Sequence, residues 1–213
     1  MQNFRSFLLG KYDDYKDRGV SAADFVQAAG NIGIRSCPGG PTVKTVSSSL
    51  LVPWFPANHS HQVIGRKDTS DAAPEGTLPF AFGPGSNYNT IIQLFADKGI
   101  DARELAALMG AHTVSKSFTQ RNGIPSGGRC PPQSLSAAKN PLTSETGPQD
   151  VTPRTWDNGY YGVTQAKQAP RGVYRFDSDV NLAKPETTCG QSFTEFSNDK
   201  SKSEHSSKLH AFS

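Results

Sequence analysis

Two groups of residues in this chain carry side chains that could do chemistry. The first is a single imidazole. Over 101–114 the residues Leu105, Leu108, Met109 and His112 recur at helical spacing, so His112 closes an otherwise apolar stripe. A ring nitrogen presented from such a place can bind a transition metal, although a lone His on an apolar face is more often a core residue with a satisfied ring. The second group is the loop Asp150-Val-Thr152-Pro-Arg-Thr155-Trp-Asp157, which offers two carboxylates, a hydroxyl and a mid-loop carbonyl within one turn. These are hard oxygen donors of the kind calcium takes. An isolated Asp-x-Thr pattern is also how an ordinary solvated turn reads.

The elements that must position these residues are helices. Asp101 with Glu104 three residues on forms a capping box, which starts the helix that carries His112. Ser21 and Asp24 form a second box, opening a helix to about Ile34 with Phe25, Val26, Ala29 and Ile32 on its inner side. It stops at the breaker Cys37-Pro38-Gly39-Gly40-Pro41. Residues 87–98 read as an amphipathic helix with Ile91, Ile92, Leu94 and Phe95, closed by Gly99. Residues 155–165 and 191–196 read as short helical pieces, and 118–148 shows no periodicity. Apart from one short Val/Ile segment strands are scarce, so the fold class is mostly α.

Bulk properties exclude classes without selecting one. A chain of 213 residues is long enough for one substantial core. Its 35% hydrophobic content is low, and 20 Gly with 15 Pro imply long loops between helices. A net charge of +3, with no basic block, argues against nucleic acid as a partner. No apolar run reaches the length of a membrane span, and the first ten residues lack the apolar core of a signal peptide. With 3 Cys, at least one thiol is unpaired within this chain.

The string Glu104-Leu-Ala-Ala-Leu-Met-Gly-Ala-His112-Thr113-Val114 resembles the proximal haem-ligand signature of the plant and fungal haem peroxidase superfamily, and the chain as a whole resembles a secreted fungal class II-like peroxidase. The resemblance extends through Val20 to Gly30 with Cys37-Pro-Gly-Gly-Pro41, through Gly65-Arg66-Lys-Asp68, through the turn at Leu78-Pro79, and through Val173-Tyr-Arg-Phe-Asp-Ser-Asp179. It implies a haem peroxidase fold holding haem b and calcium, an oxidoreductase that reduces hydrogen peroxide while oxidising a small organic donor, and a role under oxidative stress. By resemblance His112 is the iron ligand and Asp179 the carboxylate that takes its other ring N–H, an arrangement that makes the imidazole electron-rich. The same resemblance assigns Thr113, Asp150, Thr152, Thr155 and Asp157 to calcium. It further implies an extracellular monomer.

Departures from the family pattern bear on mechanism. Peroxide activation needs a distal His as acid and base and a distal Arg for charge stabilisation, and no R-x-x-F-H-D string occurs; His59, His61, His205 and His210 lie in unlike contexts. The domain therefore reads as incomplete, truncated at its N-terminus, with Cys37 and Cys189 lacking their family partners. Ala107 and Phe118 stand where relatives place a radical Trp and a manganese-binding Asp, which leaves a generic low-potential donor. Residues 46–62 and 129–146 interrupt the family pattern. Val46-Ser47, Ala57-Asn58 and Gln62 in the first, and Leu142-Thr143 and Thr146-Gly147 at the second, can be encoded by intron boundary and branch sequences, so retained introns are one origin and lineage-specific loops the other. The second insertion holds Cys130, which matches no family cysteine. Two rivals to an active peroxidase stay open: a non-catalytic remnant or gene-model fragment, and a calcium-stabilised helical module without haem.

Overall fold

The computed structural model describes residues 2–42, 44–47, 61–72, 74–118 and 146–202. Seven α-helices occur among them: α1 Gln2–Tyr12, α2 Ala22–Ser36, α3 Tyr88–Ala96, α4 Ala102–Met109, α5 Gly159–Gln165, α6 Asp177–Leu182 and α7 Thr188–Asn198. Strands β1 Lys44–Ser47 and β2 His61–Ile64 pair in parallel, while β3 Lys116–Phe118 and β4 Thr146–Pro148 pair antiparallel. The mostly α class expected from the sequence holds.

The two predicted capping boxes behave differently. At α4 both halves form: Glu104 N–H donates to Asp101 at 2.8 Å and Asp101 N–H to Glu104 at 2.9 Å. At α2 Ser21 accepts from Asp24 N–H at 3.1 Å, but the Asp24 carboxylate turns instead to Gly65 N–H at 2.7 Å and the Arg66 guanidinium at 3.1 Å. Asp68 returns the contact, accepting from Ala22 and Ala23 N–H at 2.9 Å each. The Gly65-Arg66-Lys67-Asp68 segment thus caps α2 from outside, satisfying N–H groups that every helix start leaves open. The inner face expected of α2 needs correction. Val26 is 54% and Ile32 66% exposed, because α2 borders this segment and α1 rather than the main core. Its Phe25 packs on the rings of Tyr12 and Tyr15 instead.

The core lies where α4, α5 and α7 meet. Leu105, Ala106 and Ala107 of α4 are buried with Tyr160 and Tyr161 of α5 and Cys189, Phe193 and Phe196 of α7; Ile91 of α3 and Leu182 of α6 join them. Small residues on α4 let the Tyr–Phe cluster approach closely. A Cβ on Gly110 would sit 2.4 Å from the Tyr161 hydroxyl, so only glycine fits there. The predicted helix over 155–165 starts only at Gly159, since 155–158 belong to the Asp150–Asp157 loop. Helix α7 is longer than the 191–196 expected. Gly99, at φ +77°, closes α3 as anticipated. Of the two insertions, 48–60 and 129–145, with Cys130, lie outside the described residues.

Candidate functional site

Helix α4 ends at Met109, and the chain tightens into a 3-10 turn, Gly110–Val114, which carries His112 and Thr113. The tightening swings the two consecutive side chains to opposite partners. His112 Nδ1 lies 2.8 Å from Asp179 Oδ2. Asp179 is 1% exposed and sits in the first turn of α6, reached through the extended run Val173–Phe176. An ionised carboxylate only accepts, so Nδ1 turns a proton toward Asp179, and in the neutral ring Nε2 is then the lone-pair nitrogen. Among the described residues Nε2 has no hydrogen-bond partner, while the His112 side chain is 28% exposed. The ring is thus oriented through Nδ1, while Nε2 has no hydrogen bond to a described residue.

The aromatic surroundings fix the ring plane. Tyr160 and Phe176 meet the imidazole edge-on at centroid distances of 5.6 and 5.8 Å. Tyr160 also donates its hydroxyl to Asp179 Oδ2 at 2.9 Å, and Ser178 donates to Oδ1 at 3.0 Å. Gln149, 2% exposed, donates from Nε2 to Oδ2 at 3.1 Å and accepts a hydrogen bond from Ser115, which precedes β3. Burial alone would pull the His112 imidazole down, but the Asp179 charge and hydrogen bond override it and hold the ring above its ordinary value. Burial, then Asp179, pushes the Tyr160 phenol well above its own.

Thr113, fully buried, points the other way, into the Asp150–Asp157 loop. Its Oγ1 donates to Asp150 Oδ2 at 2.6 Å and lies 3.4 Å from both the Thr155 carbonyl and Asp157 Oδ1. Thr152 Oγ1 lies 2.8 Å from Asp157 Oδ2. A Cβ on Gly159 would stand 3.0 Å from Asp157 Oδ1 and 3.1 Å from Asp150 Oδ1, so both carboxylates converge on one small volume. Asp150 is 0% exposed, and among the described residues neither carboxylate forms an ion pair. A buried carboxylate, Asp150, facing the half-buried Asp157 with only neutral partners among the described residues fits a cation bound between them. No group of three or more His, Cys, Asp and Glu suited to a metal occurs among the described residues. This set has two carboxylates, and its other oxygens come from hydroxyls and a carbonyl. Calcium accepts such a mixture.

The sequence therefore named residues that do come together: His112 with Asp179, and Thr113 with Asp150, Thr152, Thr155 and Asp157. It missed Gln149, Tyr160, Ser115 and Ser178. A polar residue directly before Asp150, and a serine three places after His112, were the available signals. Leu78, in the Leu78-Pro79 turn that the family resemblance includes, is 77% exposed, and Phe80 two residues on 63%. Cys37 and Cys189 are both free thiols; burial, then the Asp179 charge, pushes Cys189 up to about 12.

Comparison with known proteins defines the class. A family model described as Peroxidase matches residues 10–199, so the chain belongs to the peroxidase family of plant and fungal haem enzymes. Among its relatives, manganese peroxidase 3 of Phlebia radiata is 26% identical over 185 residues, 79% of this chain and 40% of the relative. A peroxidase of Arthromyces ramosus is 24% identical, covering 81% and 40% of the two chains, and the low-redox potential peroxidase of Taiwanofungus camphoratus is 24% identical, covering 79% and 44%. The chain thus spans about two-fifths of the length of these relatives.

Proposed function

We propose that this chain forms the proximal side of a haem peroxidase site, with His112 as the iron ligand, Asp179 as its carboxylate partner, and calcium held by Thr113, Asp150, Thr152, the Thr155 carbonyl and Asp157. One observation carries the reading: a histidine tied through Nδ1 to a buried carboxylate presents an Nε2 with no hydrogen-bond partner among the described residues. Bound haem supplies the iron that exchanges electrons with peroxide and donor. The protein groups do the rest. Asp179 holds the Nδ1 proton and enriches the ring in electrons, Tyr160 and Phe176 fix the ring plane, and Thr113 ties the ligand turn to the calcium loop.

The substrates follow from the family: hydrogen peroxide and a small organic donor, met outside the cell by a monomer. Ala107, which is buried, and Phe118 stand at the positions of the two specialised oxidation sites, which favours a generic low-potential donor. The 213 residues contain no R-x-x-F-H-D string, and this favours a second reading for the chain as written, that it holds haem yet activates peroxide poorly. Haemin titration followed by a steady-state peroxide assay tests both. Uptake of one haem per chain is expected, with turnover at least about a thousandfold below a relative carrying the distal pair, since positioned acid–base groups contribute about a hundred- to ten-thousandfold. A chain that takes up no haem contradicts the first reading, and turnover within tenfold of that relative contradicts the second.

A further inference from the structure

We propose that Gln149 is a positioning residue for the His112–Asp179 pair: its side-chain amide spans Ser115 and Asp179, holds the carboxylate in place, and takes a share of the oxygen that His112 uses. This rests on the reading of His112 as the haem ligand. Asp179 Oδ2 accepts from three donors, His112 Nδ1 at 2.8 Å, Tyr160 Oη at 2.9 Å and Gln149 Nε2 at 3.1 Å. Gln149 Nε2 and His112 Nδ1 are 3.4 Å apart, side by side on that oxygen. The amide cannot be reversed without setting Oε1 against an acceptor-only carboxylate, whereas the Ser115 hydroxyl suits Oε1 as a donor. At 2% exposure no solvent dilutes these bonds.

Every donor on Oδ2 withdraws negative charge that would otherwise draw the Nδ1 proton. Gln149 therefore weakens the pull of Asp179 on His112 while fixing where the carboxylate stands. Its neighbour in the chain, Asp150, belongs to the calcium loop, so the carboxylate is tied to that loop through Gln149 as the ligand is through Thr113.

The test uses the haemin-loaded 213-residue chain and two readouts that a purely structural residue would leave alone: the iron–histidine stretching frequency of the ferrous form and the ferric–ferrous midpoint potential. Gln149→Met keeps length and volume but removes the donor; Ser115 still has the His112 carbonyl at 3.0 Å. The frequency is expected to rise and the midpoint to fall as Asp179 pulls harder. Gln149→Asn, an amide too short to span both groups, serves if the Met variant does not fold, and a smaller shift in the same direction is expected. Normal haem uptake with wild-type frequency and potential in either variant would overturn the role of Gln149 alone. A wild-type chain that takes up no haemin would overturn the reading of His112, and this proposal with it.

Discussion

A carboxylate buried at 1% exposure needs donors for its oxygens, and Asp179 has four. Each is a charge-assisted bond, so removing one costs more than a neutral surface bond. Tyr160→Phe keeps the ring against His112 and Phe193 and deletes only the hydroxyl; denaturant unfolding is expected to show a loss of about 1–3 kcal/mol. An unchanged midpoint would mean the Tyr160 bond contributes nothing. His112 was visible in the sequence as the polar end of an apolar stripe, and Asp179 through a motif. Gln149 and Tyr160 were not, because their partners stand 30 and 19 residues away and no spacing rule links them.

At the scale of elements, two loops do the work of caps. The Asp150–Asp157 loop accepts the Thr113 hydroxyl, so loss of the calcium proposed there would release the turn that bears His112. With calcium about a hundredfold above its Kd the ion adds about 2.7 kcal/mol, and chelator is expected to lower the thermal midpoint accordingly, an effect absent in Asp157→Ala. A midpoint indifferent to chelator contradicts the site. The Gly65–Asp68 segment caps α2, and its pH response has a definite sign. Burial raises the Asp24 carboxyl, but the Gly65 N–H and the Arg66 guanidinium override it, leaving it below its ordinary 3.8. A carboxyl depressed in the folded state stabilises above its unfolded value, and that contribution is lost as pH falls through the folded one. The stability gap between wild type and Asp24→Asn is thus expected to be full at neutral pH and to close below about pH 4. A gap that widens in acid would contradict the clamp. Sequence pattern placed the helix starts well, since capping is local. It misjudged the inner face of α2 because periodicity says which residues share a side, not which side meets the core.

For the whole molecule, the fold is a Tyr–Phe core under α4 with the ligand turn at its edge. Phe193, at 0% exposure and 5.2 Å from the Tyr161 ring, lies at its centre, and Phe193→Ala is expected to cost about 3–5 kcal/mol in equilibrium unfolding. A loss under 1 kcal/mol would place the core elsewhere. The mostly α class was legible because four of the seven described helices, α2, α3, α4 and α7, start at side-chain caps, whereas α5 and the six-residue α6 have none. The central claim is that His112 alone offers haem its nitrogen, and one measurement meets it most directly. Haemin is titrated into wild type and into the Ala variants of His59, His61, His112, His205 and His210, each followed by its absorption spectrum. Uptake is expected to vanish only in His112→Ala; equal uptake in all five variants would contradict the assignment.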